Sequence, residues 1–297
     1  MTKKVSSKQE ERFIFIDFCA NYLGTIGRVD IVNRFGISDA AASKDIAEYI
    51  ERAPKNLSYN FKTKTHIPTK KFKSLYQFSA TQVLKTLSTG LINTQMDTFT
   101  PLLQSENSLE LSKPEGNIIA QISRAIHLKK IVEITYWSLS SGETERKLAP
   151  FAIIDSGLRW HLRAFCRRRN IFCDFVFTRI LKANLTEEDV KENESQSFDK
   201  DWNRMINLEL VPHPKNVKQP KSIILDYGMV NDLLELEVRF AVAGYVLRLW
   251  NIDCTPDHSL KDRNYQLWLR NGNSIVELNS LVMAPGIEKW TKAKPES

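Results

Sequence analysis

The sequence predicts an α+β protein of several domains, and three observations carry that expectation. Residues 8–52 read as a helix, a short helix, a glycine turn and a capped helix, and two short strands follow. Residues 117–190 read as one amphipathic helix and then five short strand-like segments separated by hairpin turns. From residue 203 onward, strand alternation is mixed with one helical pattern. The length, 297 residues, exceeds one average domain. The expected architecture is a winged helix-turn-helix over 1–90, a helical connector and linker over 91–116, a small Sm-like or SH3-like β-barrel over 117–190, and a small α+β domain over 203–297.

The first helix runs from Lys8 to Leu23, with Phe13, Ile14, Ile16, Phe18, Ala20 and Leu23 as a broad apolar stripe and Gly24 as its stop. Arg28–Phe35 makes a second helix on Val29, Ile31, Val32 and Phe35. Gly36–Ile37 is the turn. Ser38 caps a third helix from Asp39 to Arg52, with Asp39 at its positive end and Pro54 as its stop. Ala42, Ile46, Tyr49 and Ile50 form the core stripe of that helix, which turns Ala40, Ala41, Ser43, Lys44 and Ala47 outward. Small residues near a helix start let its backbone approach a major groove, and Ser43 and Lys44 offer groups for a base edge or a phosphate. An ordinary two-helix corner, its alanines chosen for helix propensity, explains the same pattern.

Charge separates those readings. The chain carries a net +7, and residues 1–80 hold 14 Lys and Arg against 8 Asp and Glu. Between Arg52 and Met96 there is no acid, while Lys55, Lys62, Lys64, Lys70, Lys71, Lys73 and Lys85 are present. Such asymmetry suits a polyanion. Leu57–Phe61 and Lys62–Ile67 read as the two strands of a wing, whose lysines lie along phosphates and position the protein. The expected duplex contacts are Arg28, Ser38, Ala40, Ala41, Ser43 and Lys44, with Lys62, Lys64, Lys70 and Lys71. Asp45 is expected to be structural, because a carboxylate facing DNA is repelled. Gln77 to Leu103 reads as a helix, with Ser79 its cap, running into a connector. Residues 104–116 are polar, with Pro114 and Gly116, and read as a linker.

Asn117–Lys129 is amphipathic on Ile118, Ile119, Ile122 and Ile126. The five strands are Ile131–Ser138, Thr144–Ala149, Phe151–Asp155, Leu158–Cys166 and Phe172–Leu181. In the fourth, Trp160, Leu162, Ala164 and Cys166 alternate with Arg159, His161, Arg163 and Phe165, an apolar face against an open cationic one. The open face is either a solvated sheet side or an anion site. Tyr136 and Ser138 share a face of the first strand, and Arg179 is in phase with Phe175 and Phe177. Closure of the strands would bring these together as guanidinium forks, an aromatic and a hydroxyl, a set suited to a phosphodiester or nucleotide. Arg167–Arg168–Arg169 reads as a solvated turn. Glu187–Asp199 reads as a second linker. Met205–Val211, Leu233–Val238, Tyr265–Leu269 and Ser274–Leu278 read as strands, with a helix on Val242, Tyr245, Val246 and Leu249.

Trp160–His161–Leu162, following Gly157 and Arg159, resembles the signature tripeptide of WYL domains, with His in the middle place. Ile134–Thr135–Tyr136–Trp137–Ser138, Leu148–Ala149–Pro150–Phe151 and Asp174–Phe175–Val176–Phe177–Thr178–Arg179–Ile180 support it. With the basic head and its Ala42–Ser43–Lys44–Asp45 run, the whole chain resembles the BrxR/CapW group of WYL regulators, which control phage-defence operons of the BREX or CBASS type. The resemblance implies a ligand-sensing pocket, to which Tyr136, Ser138, His161, Arg163 and Arg179 match one by one, and a C-terminal extension serving assembly. His161 departs from the family's Tyr and adds charge below neutral pH.

No P-loop, G-x-G-x-x-G, H-E-x-x-H or G-x-S-x-G stands in the chain. Cys19, Cys166, Cys173 and Cys254 are scattered, and no zinc spacing occurs. No apolar run spans a bilayer and no secretory signal is present. The expectation is a cytoplasmic, reduced, non-enzymatic transcriptional repressor, with no cofactor, metal or membrane. It binds an inverted-repeat DNA operator as a homodimer and answers to a nucleotide or oligonucleotide effector at Tyr136, Ser138, Arg159, His161, Arg163 and Arg179. The alternatives are an RNA or single-strand adaptor using the barrel face, and a nucleotide-processing enzyme with His161 as general base.

Overall fold

A computed structural model describes residues 6–89, 112–275, 281 and 283–289. They fall into two compact units, one within 1–153 and 160–191 and the other within 154–159 and 192–297.

The first unit opens with α1 (Ser7–Phe18), whose Ser6 side chain caps Gln9 N–H. A π-helical turn (Cys19–Leu23) extends it, and Gly24 ends the run in a left-handed conformation. α2 (Arg28–Phe35) ends at left-handed Gly36, and α3 (Asp39–Arg52) starts at Ser38, whose hydroxyl accepts Ala41 N–H. These boundaries match the sequence reading because each is set by a local cap. β1 (Leu57–Asn60) pairs antiparallel with β2 (Thr65–Pro68), and Ile26 bridges His66 on the far side of β2. Phe13, Ile16, Ile26, Ile31, Ala42, Ile46 and Tyr49 make the core of this head.

One buried carboxylate ties the head together. Asp17 is 0 % exposed. It accepts from the Tyr49 hydroxyl of α3, from the Ser74 hydroxyl and from Leu75 N–H at 3.0 Å. Asn56 adds a second tier, donating to Tyr49 Oη at 3.1 Å and to Lys73 O at 2.7 Å. Burial raises the Asp17 pKa, against the hydrogen bonds that lower it.

α4 (Ala80–Thr89) begins at a reciprocal box: Gln82 N–H donates to Ser79 Oγ and Ser79 N–H to Gln82 Oε1. The remainder of the expected connector and most of the linker lie outside the described residues. α5 (Gly116–Leu128) packs against the π-helical turn. Ser123 Oγ donates to Tyr22 O, and Arg124 Nε to Asn21 O at 2.6 Å. Phe18, Tyr22, Val83, Leu84 and the α5 isoleucines therefore share one core with the sheet that follows.

That sheet contains β3 (Lys130–Ser138), β4 (Gly142–Asp155), β5 (Trp160–Cys166), β6 (Ile171–Val176) and β7 (Ile180–Asp189), in the order β6-β5-β4-β3-β7. The expected barrel is not found: among the described residues no ladder joins β6 to β7, so the sheet keeps two edges. Two strand boundaries also differ. Thr144–Ala149 and Phe151–Asp155 are one strand, because the β3 ladder ends at Leu148 and Pro150 breaks no bond on that side. The last expected strand is cut by a single 3-10 turn at Phe177–Arg179, and the chain resumes as β7 as far as Asp189, inside the stretch expected to be a linker.

The second unit holds α6 (Lys200–Asn203), β8 (Met205–Pro212), α7 (Pro220–Tyr227), β9 (Leu234–Arg239), α8 (Phe240–Leu249), β10 (Ile252–Asp253), β11 (Leu267–Leu269) and α9 (Gly272–Ile275). Its sheet runs β10-β11-β8-β9. α7 opens at Pro220, which occupies the first helical turn, where its missing N–H has no partner to lose. Ser274 and Ile275 belong to a helical turn and not to a strand, and residues 276–280 lie outside those described.

His213 and Asp253 form the polar centre of this unit, both 0 % exposed, with Nε2 and Oδ2 2.9 Å apart. His213 Nδ1 accepts N–H from Lys215 and Asn216, which assigns the ring proton to Nε2. Asp253 also accepts Thr255 N–H at 2.7 Å and Leu260 N–H at 3.2 Å.

Two stability outcomes follow from these centres. Asp17→Asn keeps an acceptor for Tyr49 and Leu75 without a buried charge, and its urea midpoint at pH 7 should stay close to wild type. Asp17→Ala takes the acceptor from the buried Tyr49 hydroxyl, from Ser74 and from Leu75 N–H, and should lose about 2–3 kcal/mol in the same titration. His213→Ala leaves a buried carboxylate short of its donor and should cost about 3–5 kcal/mol in the transition of the second unit.

Candidate nucleic-acid interface and sheet site

α3 separates its charges by face. Asp45 is 2 % exposed, is held by Arg12 Nε at 2.5 Å and accepts from Gln9 at 3.0 Å. It is structural, as its sign required. Ala40, Ser43, Lys44 and Ala47 are exposed on the outer face, and Ala41 is half-buried. Lys44 keeps a loose 3.8 Å contact with Glu48, one turn on. Ser38 is exposed, its hydroxyl already used as the cap. Arg28, the first residue of α2, lies 3.6 Å from Asp39 at the start of α3. Both are more than half exposed, so the pair is weak and a phosphate competes with it.

Between α2, α3 and the wing lies a concavity of about 540 Å³. Arg28, Val29, Ser43, Ala47, Tyr59, Lys64 and His66 are among its walls. The structure thus brings Arg28, Ser43 and Lys64 together. Lys62 and Lys64 are exposed on the turn between β1 and β2. Lys70 and Lys71 are exposed on the turn after β2. Lys71 lines a different hollow at the C-terminal end of α3, with Arg52, Lys55 and Lys73. The basic segment therefore lines two separate hollows, one with Lys64 and one with Lys55, Lys71 and Lys73.

Sequence reasoning missed the aromatics. Tyr59 and His66 face each other across the wing with ring centroids 5.0 Å apart, and Phe61 stands 5.0 Å from Tyr59 at 88°. Alternation of Tyr59 and Phe61 within Leu57–Phe61 was the available signal. His66 Nδ1 is buried with no hydrogen-bond partner, and burial lowers the His66 pKa.

The sheet residues are placed less simply. Tyr136 is on the core face: its ring meets Phe175 edge-on at 5.1 Å and its hydroxyl accepts Val176 N–H. Ser138 shares that face at the strand end and contacts Ser140. Leu162 pairs with Phe175, so alternation puts His161 and Arg163 on the opposite face. That face is not open, as the sequence suggested. Every residue of β5 is buried, His161 to 7 % and Arg163 to 5 % exposure, and Arg163 pairs with its cross-strand neighbour Asp174 at 3.1 Å. Arg159 precedes the strand and falls within the second unit. Arg179 ends the 3-10 turn, half-buried, and is not a strand residue. Two cysteines that are distant from any zinc spacing meet here. Cys166 and Cys173 share a face, and the Cys173 thiol lowers the Cys166 pKa by hydrogen bonding, aided by the N–H groups of Arg168 and Arg169.

Three family models match this chain: the BrxR transcriptional regulator winged helix-turn-helix domain over residues 8–89, the WYL domain over 117–185, and the BrxR transcriptional regulator C-terminal dimerization domain over 205–275. The DNA-binding transcriptional repressor CapW of Escherichia coli (strain KTE188) is 31% identical over 278 residues, covering 91% of each chain. The chain belongs to the BrxR/CapW family. CapW of Pseudomonas aeruginosa is 32% identical over the same coverage, and that of Stenotrophomonas maltophilia is 31% identical over 85% of this chain and 86% of its own. The three matched segments of this BrxR/CapW chain include its head, its sheet and most of the described second unit. No helix among the described residues is long and apolar enough to cross a membrane.

His66 gives the head a pH dependence. An unfolded histidine titrates near pH 6.5 and the folded one lower, so the unfolded chain takes up the proton first. Thermal stability should therefore fall as the pH drops below about 6.5. His66→Phe should flatten that slope in a series of melting curves from pH 7.5 to 5.

Proposed function

We propose that this chain is a DNA-binding transcriptional repressor, acting in the cytoplasm as a homodimer on an inverted-repeat operator. The observation that carries the reading is the charge segregation of α3: its buried acid is neutralised by Arg12, while its outer face presents Ala40, Ser43, Lys44 and Ala47 beside a basic wing. Small side chains at the helix start allow close approach to a major groove. Arg28, Lys62, Lys64, Lys70 and Lys71 act on phosphates, which position the head without reading sequence. The relatives named as DNA-binding repressors and the match to a C-terminal dimerization domain support the repressor and the dimer.

The sheet supplies the control. In this reading an anionic nucleotide or oligonucleotide engages His161 and Arg163 on one face of β5, while Tyr136, packed against Phe175 on the opposite face, stays outside the contact. Arg163 is already paired with Asp174, so the effector has to displace that carboxylate. A phosphate has the charge and the bidentate geometry for such an exchange. The regulated genes are expected to form a phage-defence operon, as the family resemblance implies.

Selection of a bound duplex from a random library, followed by footprinting, tests the reading. The expected result is a protected inverted repeat whose half-sites are spaced by a whole or near-whole number of helical turns. Lys44→Ala combined with Ser43→Ala should weaken binding to the selected duplex by about 10–100-fold, with less effect on random duplex. Equal losses on both duplexes, or protection of single strands alone, would remove the repressor.

A further inference from the structure

The recognition surface of α3 and the wing lysines leaves Phe61 unused. It is 85 % exposed, the most exposed large apolar side chain among the described residues. A single exposed apolar residue is ordinary on a protein surface, so its setting has to decide. Phe61 opens the turn between β1 and β2, directly after the last residue of β1. Lys62 and Lys64 follow it, and the nearest acids in sequence are Glu51 and Asp97.

The tip is also stiff. Asn60 Oδ1 accepts N–H from Lys62 at 3.0 Å and from Thr63 at 3.3 Å, and Lys64 N–H closes the turn on Asn60 O at 2.8 Å. Lys64 holds a left-handed φ of 58°. Behind the tip, Phe61 leans on Tyr59 and Tyr59 on His66, and His66 is tied to Ile26 by two backbone hydrogen bonds of 2.8 and 2.9 Å. Phe61 thus stands two residues beyond Tyr59, whose ladder partner His66 carries the backbone tether to the body, and its ring is braced on Tyr59.

We infer that Phe61 is an apolar wedge that enters a base step in the minor groove of the operator and kinks the duplex. This rests on the repressor reading above and deepens it. A duplex is the occupant that fits both halves of the surface: phosphates for Lys62 and Lys64, and base faces for the ring. With α3 in the major groove, the adjacent wing tip meets the neighbouring minor groove. A wedge there unstacks one step and bends the DNA, and the cost depends on which step is opened. Pyrimidine–purine steps open most easily, so Phe61 reads sequence without a base hydrogen bond. A protein partner fits less well, because Tyr59 and Phe61 alone offer far less apolar area than a stable interface buries.

Bending is measured on duplexes selected by the wild-type protein, by mobility of circularly permuted fragments or by end-to-end energy transfer. The wild type should bend its duplex, with a pyrimidine–purine step at the point of the bend. Phe61→Ala should bind about tenfold more weakly, as expected for loss of one stacking contact, and leave the duplex nearly straight. Phe61→Leu should retain most of the bend. Lys62→Ala with Lys64→Ala should keep the bend but reduce the slope of log affinity against log salt by about two. Circular dichroism of Phe61→Ala should match wild type, since the side chain packs on little.

A straight duplex under the wild-type protein, or wild-type bending and affinity from Phe61→Ala, overturns the wedge and leaves the repressor reading standing. A wild-type protein that binds no duplex at all overturns both.

Discussion

The DNA-binding head depends on where its carboxylates are kept. Asp17 is enclosed with neutral donors, the hydroxyls of Tyr49 and Ser74 and the N–H of Leu75. Those donors come from α3 and from the segment that returns after the wing, so one side chain of α1 fixes both relative to itself. Asp45 does the reverse: it leaves α3 inward and is met by Arg12 and Gln9 of α1. Burial makes both arrangements strict, because a buried acid without its partners is expensive. The consequence appears on the other side of the helix. With its acids turned inward or held at its ends, the outer face of α3 is left small and basic, the condition for meeting a polyanion.

The head was legible in the sequence because its boundaries are local. Ser38, Gly24, Gly36 and Pro54 each act within a turn of themselves, and the stripe Ala42, Ile46, Tyr49 fixes which way α3 faces. What the sequence did not reveal is non-local. Asp17 lies 32 residues from Tyr49 and 57 from Ser74, and His213 lies 40 from Asp253. No spacing rule predicts such partners. The wing aromatics were readable by alternation, yet they are eclipsed by the lysines around them when charge alone is counted.

The sheet shows the opposite failure. Alternation in β5 correctly separated Trp160, Leu162, Ala164 and Cys166 from His161, Arg163 and Phe165, and the first set does enter the core. The inference that the second set faces water failed, since periodicity gives the side of a strand and not what covers that side. Phe165 joins a small separate cluster with Ile131 and Ala149, so the second face carries apolar packing of its own. Arg163 survives there because Asp174 stands directly across the ladder. Tyr136 was grouped with these residues by family pattern, but its strand register places it among the aromatics of the opposite face. A site that uses both faces needs the sheet edge or its turns, where Ser138 and Arg179 stand, more than the flat of the strands.

Magnitudes set how such a head can be specific. Its outer helix face offers one lysine and one serine among alanines. A good bidentate base contact discriminates by about 1–3 kcal/mol, whereas specific binding exceeds non-specific binding by about 4–10 kcal/mol. A single α3 of this composition falls short of that range, and the wing lysines add affinity without sequence content. Doubling the head through a two-fold dimer closes part of the difference, because the two half-sites add. Deformation energy supplies the rest when a rigid wing forces a bend that only some base steps accept. The alanine-rich face of α3 and the braced aromatic tip of the wing are then two parts of one recognition strategy, in which close backbone approach and DNA shape replace a long list of side-chain contacts.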